Sequence, residues 1–179
     1  MKKYTFENLI QKIKKIIFLK KLKFNKSENI IRLGSNYGGW GFYDDKNLYN
    51  STIISAGLGE DASFDVDFLN KYDSKMIIID PTPRATAHYK KILNIKNHQK
   101  TKNYSNTGVQ EIESYDLSKI NSENFILIEK ALFNKDDLTL NFYKPKNPDH
   151  VSHSISNFLN DHSIETDHIK VKTITLKTI

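Results

Sequence analysis

The chain has 179 residues, 38% of them apolar, and a net charge of +6, which suits one domain with a core of its own. It has no cysteine, which excludes disulfides, thiolate catalysis and zinc–thiolate sites. Of 27 basic residues only Arg32 and Arg84 are arginine, so the charge reads as lysine bias rather than as a nucleic-acid surface, which draws on arginine for bidentate contacts. No apolar run approaches the ~20 residues of a membrane span. Ile16 to Leu19 is too short for a signal segment, and no small-residue cleavage site follows. The expected location is the cytoplasm.

Residues 4–23 predict an amphipathic helix, with Phe6, Leu9, Ile10, Ile13, Ile16 and Ile17 on one stripe. Such a helix packs on the domain or on a second subunit; a second reading is a basic helix on an anionic membrane surface. Residues 1–28 are therefore set apart from a domain over 29–179, with no repeat or linker inside it. Ile30, Ile31 and Leu33 suggest a short strand. Gly34, Gly38, Gly39 and Gly41 are four of only seven glycines, a clustering that marks tight turns or close backbone approach. The segment reads as a hairpin whose Trp40 covers one end of the core, or as a wall on a ligand cleft.

Thr52–Ala56 predicts a β-branched strand closed by Gly57, followed by a helix from about Asp61 with Phe64, Val66, Phe68 and Leu69 inward. Ser74–Ile79 predicts a second strand, its Met-Ile-Ile-Ile run buried on both faces. Pro81 and Pro83 force an extended exit. Arg84–Leu93 reads as a helix with Ala85, His88, Tyr89 and Ile92 inward, and Asn94–Asn124 as loop with a helical turn near Glu111–Tyr115. A third strand is expected over Phe125–Phe133, an antiparallel return strand over Leu138–Tyr143, a polar loop over Asp149–Asp161 and a last strand over Lys170–Leu176. The fold class is α/β, built on a βαβ unit with a ligand site at the strand ends.

Gly57-Leu58-Gly59-Glu60-Asp61-Ala62 fits the G-x-G-x-x-A dinucleotide fingerprint, and Asp80 lies where a ribose-binding acid belongs. A dinucleotide sets its pyrophosphate on that turn. Glu60 and Asp61 would repel it there, whereas the sulfonium and ammonium of S-adenosylmethionine (SAM) suit acidic neighbours. The same two acids can simply stabilise the start of the helix. Asp80 can instead cap the turn before Pro81. His150 and His153 are candidate proton acceptors on the Pro-rich loop; their spacing also permits a metal reading, weak without a carboxylate at fixed spacing, and a purely structural role in the loop is the third. Arg84 could pair with Asp80, and Tyr37 and Trp40 could form an acceptor wall.

Several segments resemble the FkbM-type SAM-dependent methyltransferases: Arg-Leu-Gly-Ser-Asn-Tyr-Gly-Gly-Trp (32–40), Ile-Ser-Ala-Gly-Leu-Gly-Glu-Asp-Ala-Ser-Phe-Asp (54–65), Ile-Ile-Asp-Pro-Thr-Pro-Arg (78–84), Lys-Ala-Leu-Phe (130–133), and the run from Tyr143 to Ser154. The resemblance implies a Rossmann-like sheet and methyl transfer from SAM, commonly to oxygen on sugars or related metabolites. It gives Gly57 and Gly59 to the methionine moiety, Asp80 to the ribose, and Lys130 and Ala131 to the adenine edge, with Glu60, Asp61 and Asp65 near the amino-acid end. The family continues with a further buried strand and an acidic motif that this sequence lacks, so the expectation is the front part of such a domain, with a sheet edge that a second copy could cover. Two other functions fit the same residues: a non-catalytic SAM- or nucleotide-binding module, and an NAD-dependent oxidoreductase. The expected partner is a small-molecule or glycan acceptor, with no nucleic acid.

Overall fold

The computed structural model describes residues 14, 29–145, 147, 150, 152–156 and 166–179. The helix expected over 4–23 lies, but for Lys14, outside the described residues, as does much of the loop 149–161. The described fold is mixed α/β, with three small sheets and two helices. No described helix is long and apolar enough to cross a membrane.

The first sheet is parallel, in the order β3 (Thr52–Ala56), β4 (Lys75–Ile79), β5 (Phe125–Ile128). Helix α1 (Ser63–Tyr72) joins β3 to β4, and α2 (Pro83–Asn94) leads on from β4. Alternation decides the faces. Ile53, Met76 and Phe125 share one row and face the helices; Ile54, Ile77 and Ile126 share the next and face away. Met76, Ile78 and Phe125 are sealed under Val66, Leu69, Ala85 and Ile92. The other face is less covered: Ile79 is buried, but Ile77 is half-buried and Ile54 exposed, so burial on both faces holds only at the end of β4. Helix α1 starts at Ser63, whose N–H bonds to Asp61 Oδ1 at 3.0 Å, and stops at Asp73, which takes the left-handed conformation at φ 49°. Pro83 opens α2, where a missing N–H costs nothing.

Strands β1 (Ile30–Leu33) and β2 (Trp40–Tyr43) form the expected antiparallel hairpin. The side chain that reaches the core is Phe42, which packs against Phe64, Phe68 and Tyr72. Trp40 is 68% exposed, so it does not cover the core. The hairpin loop lies hard on the start of α1: a Cβ on Gly34 (φ +85°) would meet Phe64 N at 2.8 Å, and one on Gly38 would meet the Asp61 carboxylate at 2.7 Å. Ser35 fastens it, donating from its N–H to Ser63 Oγ at 2.7 Å and from its hydroxyl to Asp61 Oδ2 at 2.6 Å.

The strand expected over Phe125–Phe133 is broken in two. The charged pair Glu129–Lys130 interrupts the apolar run, and Lys130 N–H turns back to the Ile128 carbonyl at 2.8 Å. Beyond it, β6 (Ala131–Leu132) belongs to another sheet, ordered β6-β8-β7. The return strand β7 (Thr139–Tyr143) therefore pairs with β8 (His168–Ile174), not with the strand before it. Thr173 keeps the two apart: fully buried, it donates to the Lys135 carbonyl at 2.6 Å and accepts from Leu138 N–H at 2.9 Å, so β8 lies between β6 and β7.

Candidate functional site

A cleft of about 530 Å³ opens at the C-terminal ends of β3 and β4, a size that takes a small-molecule ligand. Ser55, Ala56, the turn Gly57–Asp61, and Ile79–Thr82 line one side; Tyr37, Gly38 and Trp40 of the hairpin, Gly108 and His153 line its rim; Ala131, Leu132 and Phe142 come from the second sheet. The exposed Trp40 thus takes the wall reading.

The turn is braced from within. Gly57 (φ +93°) and Gly59 (φ +55°) take backbone conformations that disfavour a side chain. The Leu58 and Gly59 N–H groups both point at Asp80 Oδ2, at 2.8 and 3.0 Å. Asp80 Oδ1 accepts from the Thr82 N–H at 2.9 Å and the Thr82 hydroxyl at 2.7 Å. A carboxylate has about four lone-pair sites, and here each oxygen holds two bonds. Asp80 caps the turn before Pro81, and it also fills the anion-attracting hollow of the glycine turn with the protein's own anion.

The other acids are placed differently. Glu60 forms an ion pair with Arg84 outside hydrogen-bond geometry, so Arg84 pairs with Glu60 and not with Asp80. Asp61 accepts from Ser35 Oγ, from Ser63 N–H and from Gln110 Nε2 at 3.1 Å, which ties the hairpin, α1 and the loop after α2 together. Asp65, one turn into α1, is 3% exposed and lines the cleft, and its Oδ1 has no hydrogen-bond partner among the described residues. Burial pushes its carboxyl up to about 6; the Ser55 hydroxyl and its own backbone N–H pull the other way, and the Asp61 charge adds to the rise. Four carboxylates line the cleft and, among the described residues, no lysine or arginine does, in a chain whose net charge is +6.

Below the turn, the Tyr115 hydroxyl accepts from Ala62 N–H at 3.0 Å and lies 2.8 Å from His88 Nε2. Which of the two donates depends on the histidine tautomer, and either way the pair is hydrogen-bonded. Burial lowers His88 to about 4. His88 is a core residue that fixes the start of α1.

The two histidines of the Pro-rich loop are separated. His153 lines the cleft; His150 is exposed and does not, its carbonyl accepting from Arg84 Nη1 at 3.4 Å and its N–H donating to the Asn147 carbonyl at 3.1 Å. Lys130 and Ala131 separate likewise. Ala131 lines the cleft, while Lys130 turns to Asp137 at 2.9 Å and is absent from the lining. Sequence reasoning missed Ser55, Leu132, Phe142 and Gly108. The last is carried by the poorly periodic loop after α2, which bridges to the glycine turn through Glu60 and Val109; no periodic signal marks it. Comparison with family models, with curated proteins and with solved structures gave no match for this chain.

Proposed function

We propose that the cleft binds SAM and that the chain is a SAM-dependent methyltransferase, acting on an oxygen of a sugar or related small metabolite. The observation that carries the reading is the state of the glycine turn. Its Leu58 and Gly59 N–H groups, which a dinucleotide pyrophosphate would need, are spent on Asp80, and the surrounding lining is acidic without a lysine or arginine among the described residues. That arrangement repels a phosphate and favours a cation. The parallel β3-α1-β4-α2-β5 run supports a Rossmann-like sheet, and the FkbM-like segments supply the turn and the acid after β4.

The residues present fit the cofactor. Bound SAM supplies an electrophilic methyl group on a sulfonium. Gly57 leaves space, since a Cβ there would meet nothing within 4 Å. Asp61 and Asp65 offset positive charge, and Ala131 and Leu132 offer an apolar side to the adenine. Asp80 holds the turn in shape, and it would hold a ribose hydroxyl in exchange for its bond from the Thr82 hydroxyl. Tyr37 and Trp40 present a rim on which an acceptor can lie, and His153 is the side chain placed to take the acceptor's proton. Orientation between such a rim and the turn is where much of the rate would come from.

Calorimetric titration of SAM and of NADH tests the reading: SAM binds and NADH does not, and S-adenosylhomocysteine then accumulates with a sugar acceptor. NADH binding without SAM binding overturns it. A second reading, a SAM-binding module that works inside an assembly, is favoured by the β3 edge. This strand has one hydrogen-bonded neighbour among the described residues, and Ile54 on it is 40% exposed. SAM binding with no turnover across an acceptor panel selects that reading.

A further inference from the structure

We propose that the Asp65 carboxylate is the seat of the ligand's α-ammonium group. The inference rests on the SAM reading of the same cleft and goes further by assigning one end of the ligand to one side chain. The four acids of the lining are not equivalent. Asp80 holds four hydrogen bonds, Asp61 holds three and Glu60 is paired with Arg84. Asp65 alone among them is almost wholly buried with an oxygen that, among the described residues, has no partner and no cation beside it. The groups that face it are Ser55 from β3, Asp61 from the turn ahead of α1 and the Tyr115 phenol from the loop after α2, none of them positive. A buried carboxylate left this way is costly unless something supplies both a charge and a donor.

That double requirement chooses between the two cationic ends of SAM. A sulfonium carries charge but has no hydrogen to donate. An ammonium carries charge and three donors, so it completes Oδ1 as well as neutralising it. A neutral acceptor hydroxyl would offer a donor without the charge. The Ser55 hydroxyl, at the C-terminal end of β3, already favours the ionised form from the other side.

The test is calorimetric titration of SAM, S-adenosylhomocysteine and 5′-methylthioadenosine into the wild-type chain and Asp65→Asn at pH 7.5. S-adenosylhomocysteine keeps the ammonium without the sulfonium; methylthioadenosine has neither. Asp65→Asn is expected to weaken the first two roughly 10- to 100-fold, the worth of a charged hydrogen bond, and to leave methylthioadenosine unchanged. Weakening of SAM alone assigns Asp65 to the sulfonium and overturns the inference; equal weakening of all three makes the residue merely structural and also overturns it. A wild type that binds none of the three refutes the SAM reading itself, whereas normal binding by the variant refutes only the role of Asp65.

A second measurement needs no variant. At pH 6, in two buffers of different ionisation enthalpy, S-adenosylhomocysteine should drive about half a proton off the wild-type chain, since an ammonium favours the charged carboxylate. Methylthioadenosine should drive off none. Equal proton counts for the two ligands overturn the inference even if Asp65→Asn does not fold.

Discussion

Asp80 and Asp65 both line the cleft and are nearly equally buried, at 6% and 3% exposure. The first is wrapped by four donors, two of them from the turn it supports. The second has an oxygen with none among the described residues. Burial is therefore not what distinguishes them. The number of unmet lone pairs is, because a satisfied carboxylate lowers the energy of the fold and an unsatisfied one raises it. The cleft is stiff at the end of β4 and poised at the start of α1.

Substitution should break this contrast in opposite directions. The largest effect is expected at Asp80. Asp80→Asn sets an amide N–H₂ among buried donors and should cost about 3 kcal/mol in urea unfolding, with loss of ligand binding as the turn relaxes. Asp65→Asn should do the reverse, stabilising the free protein at pH 8 by about 2 kcal/mol, since the charge it removes is buried and half-paired.

Acidity sharpens the comparison. Asp65 holds its proton in the fold up to about 6, against 3.8 for an ordinary aspartate. Its charge therefore costs stability above about pH 6, and that cost fades as pH falls toward 3.8. His88 runs the other way. It stays neutral in the fold down to about 4 against 6.5, so its contribution is complete above 6.5 and is lost as pH falls toward 4. Each amounts to roughly 3 kcal/mol, so the two slopes should nearly cancel in the wild type between pH 4 and 6. In Asp65→Asn the His88 slope stands alone, and urea midpoints should fall steadily over that window.

Smaller effects follow at the rim and the turn. Gly57→Ala meets no atom but must adopt φ +93°, which should cost about 1–2 kcal/mol by thermal unfolding. Trp40→Ala, at an exposed position, should change stability by less than about 0.5 kcal/mol. On the proposed methyltransferase reading, any effect it has should fall on the KM for the acceptor and not on SAM binding.

The β3-α1-β4-α2 run was legible because its signals are local. Ile53–Ile54 and Met76–Ile79 are apolar runs bounded by glycine or proline, and the stripe Ala85, His88, Ile92 repeats at helical spacing. The break at Glu129–Lys130 is visible as a charged pair within an apolar run, but the sheet that Ala131 joins is set by a buried Thr173 far along the chain. Alternation in Trp40-Gly41-Phe42-Tyr43 shows that Trp40 and Phe42 share a face of their strand. It does not reveal that the helix reaches one of them and stops short of the other. The contrast between Asp80 and Asp65 was hidden for the same reason, since it depends on which backbone N–H groups fold against each carboxylate.

The exchange of sheets between Ile128 and Ala131 has a bearing on how the molecule assembles. All the strands of the first sheet have been synthesised once β5 is complete. The second sheet cannot form at that point, because Ala131 and Leu132 find their partners only in Thr173 and Ile174, which are synthesised later. The nascent chain would therefore carry the glycine turn and Asp65 well before Leu132 and Phe142 close over them. A cofactor present during synthesis would meet its floor before its wall.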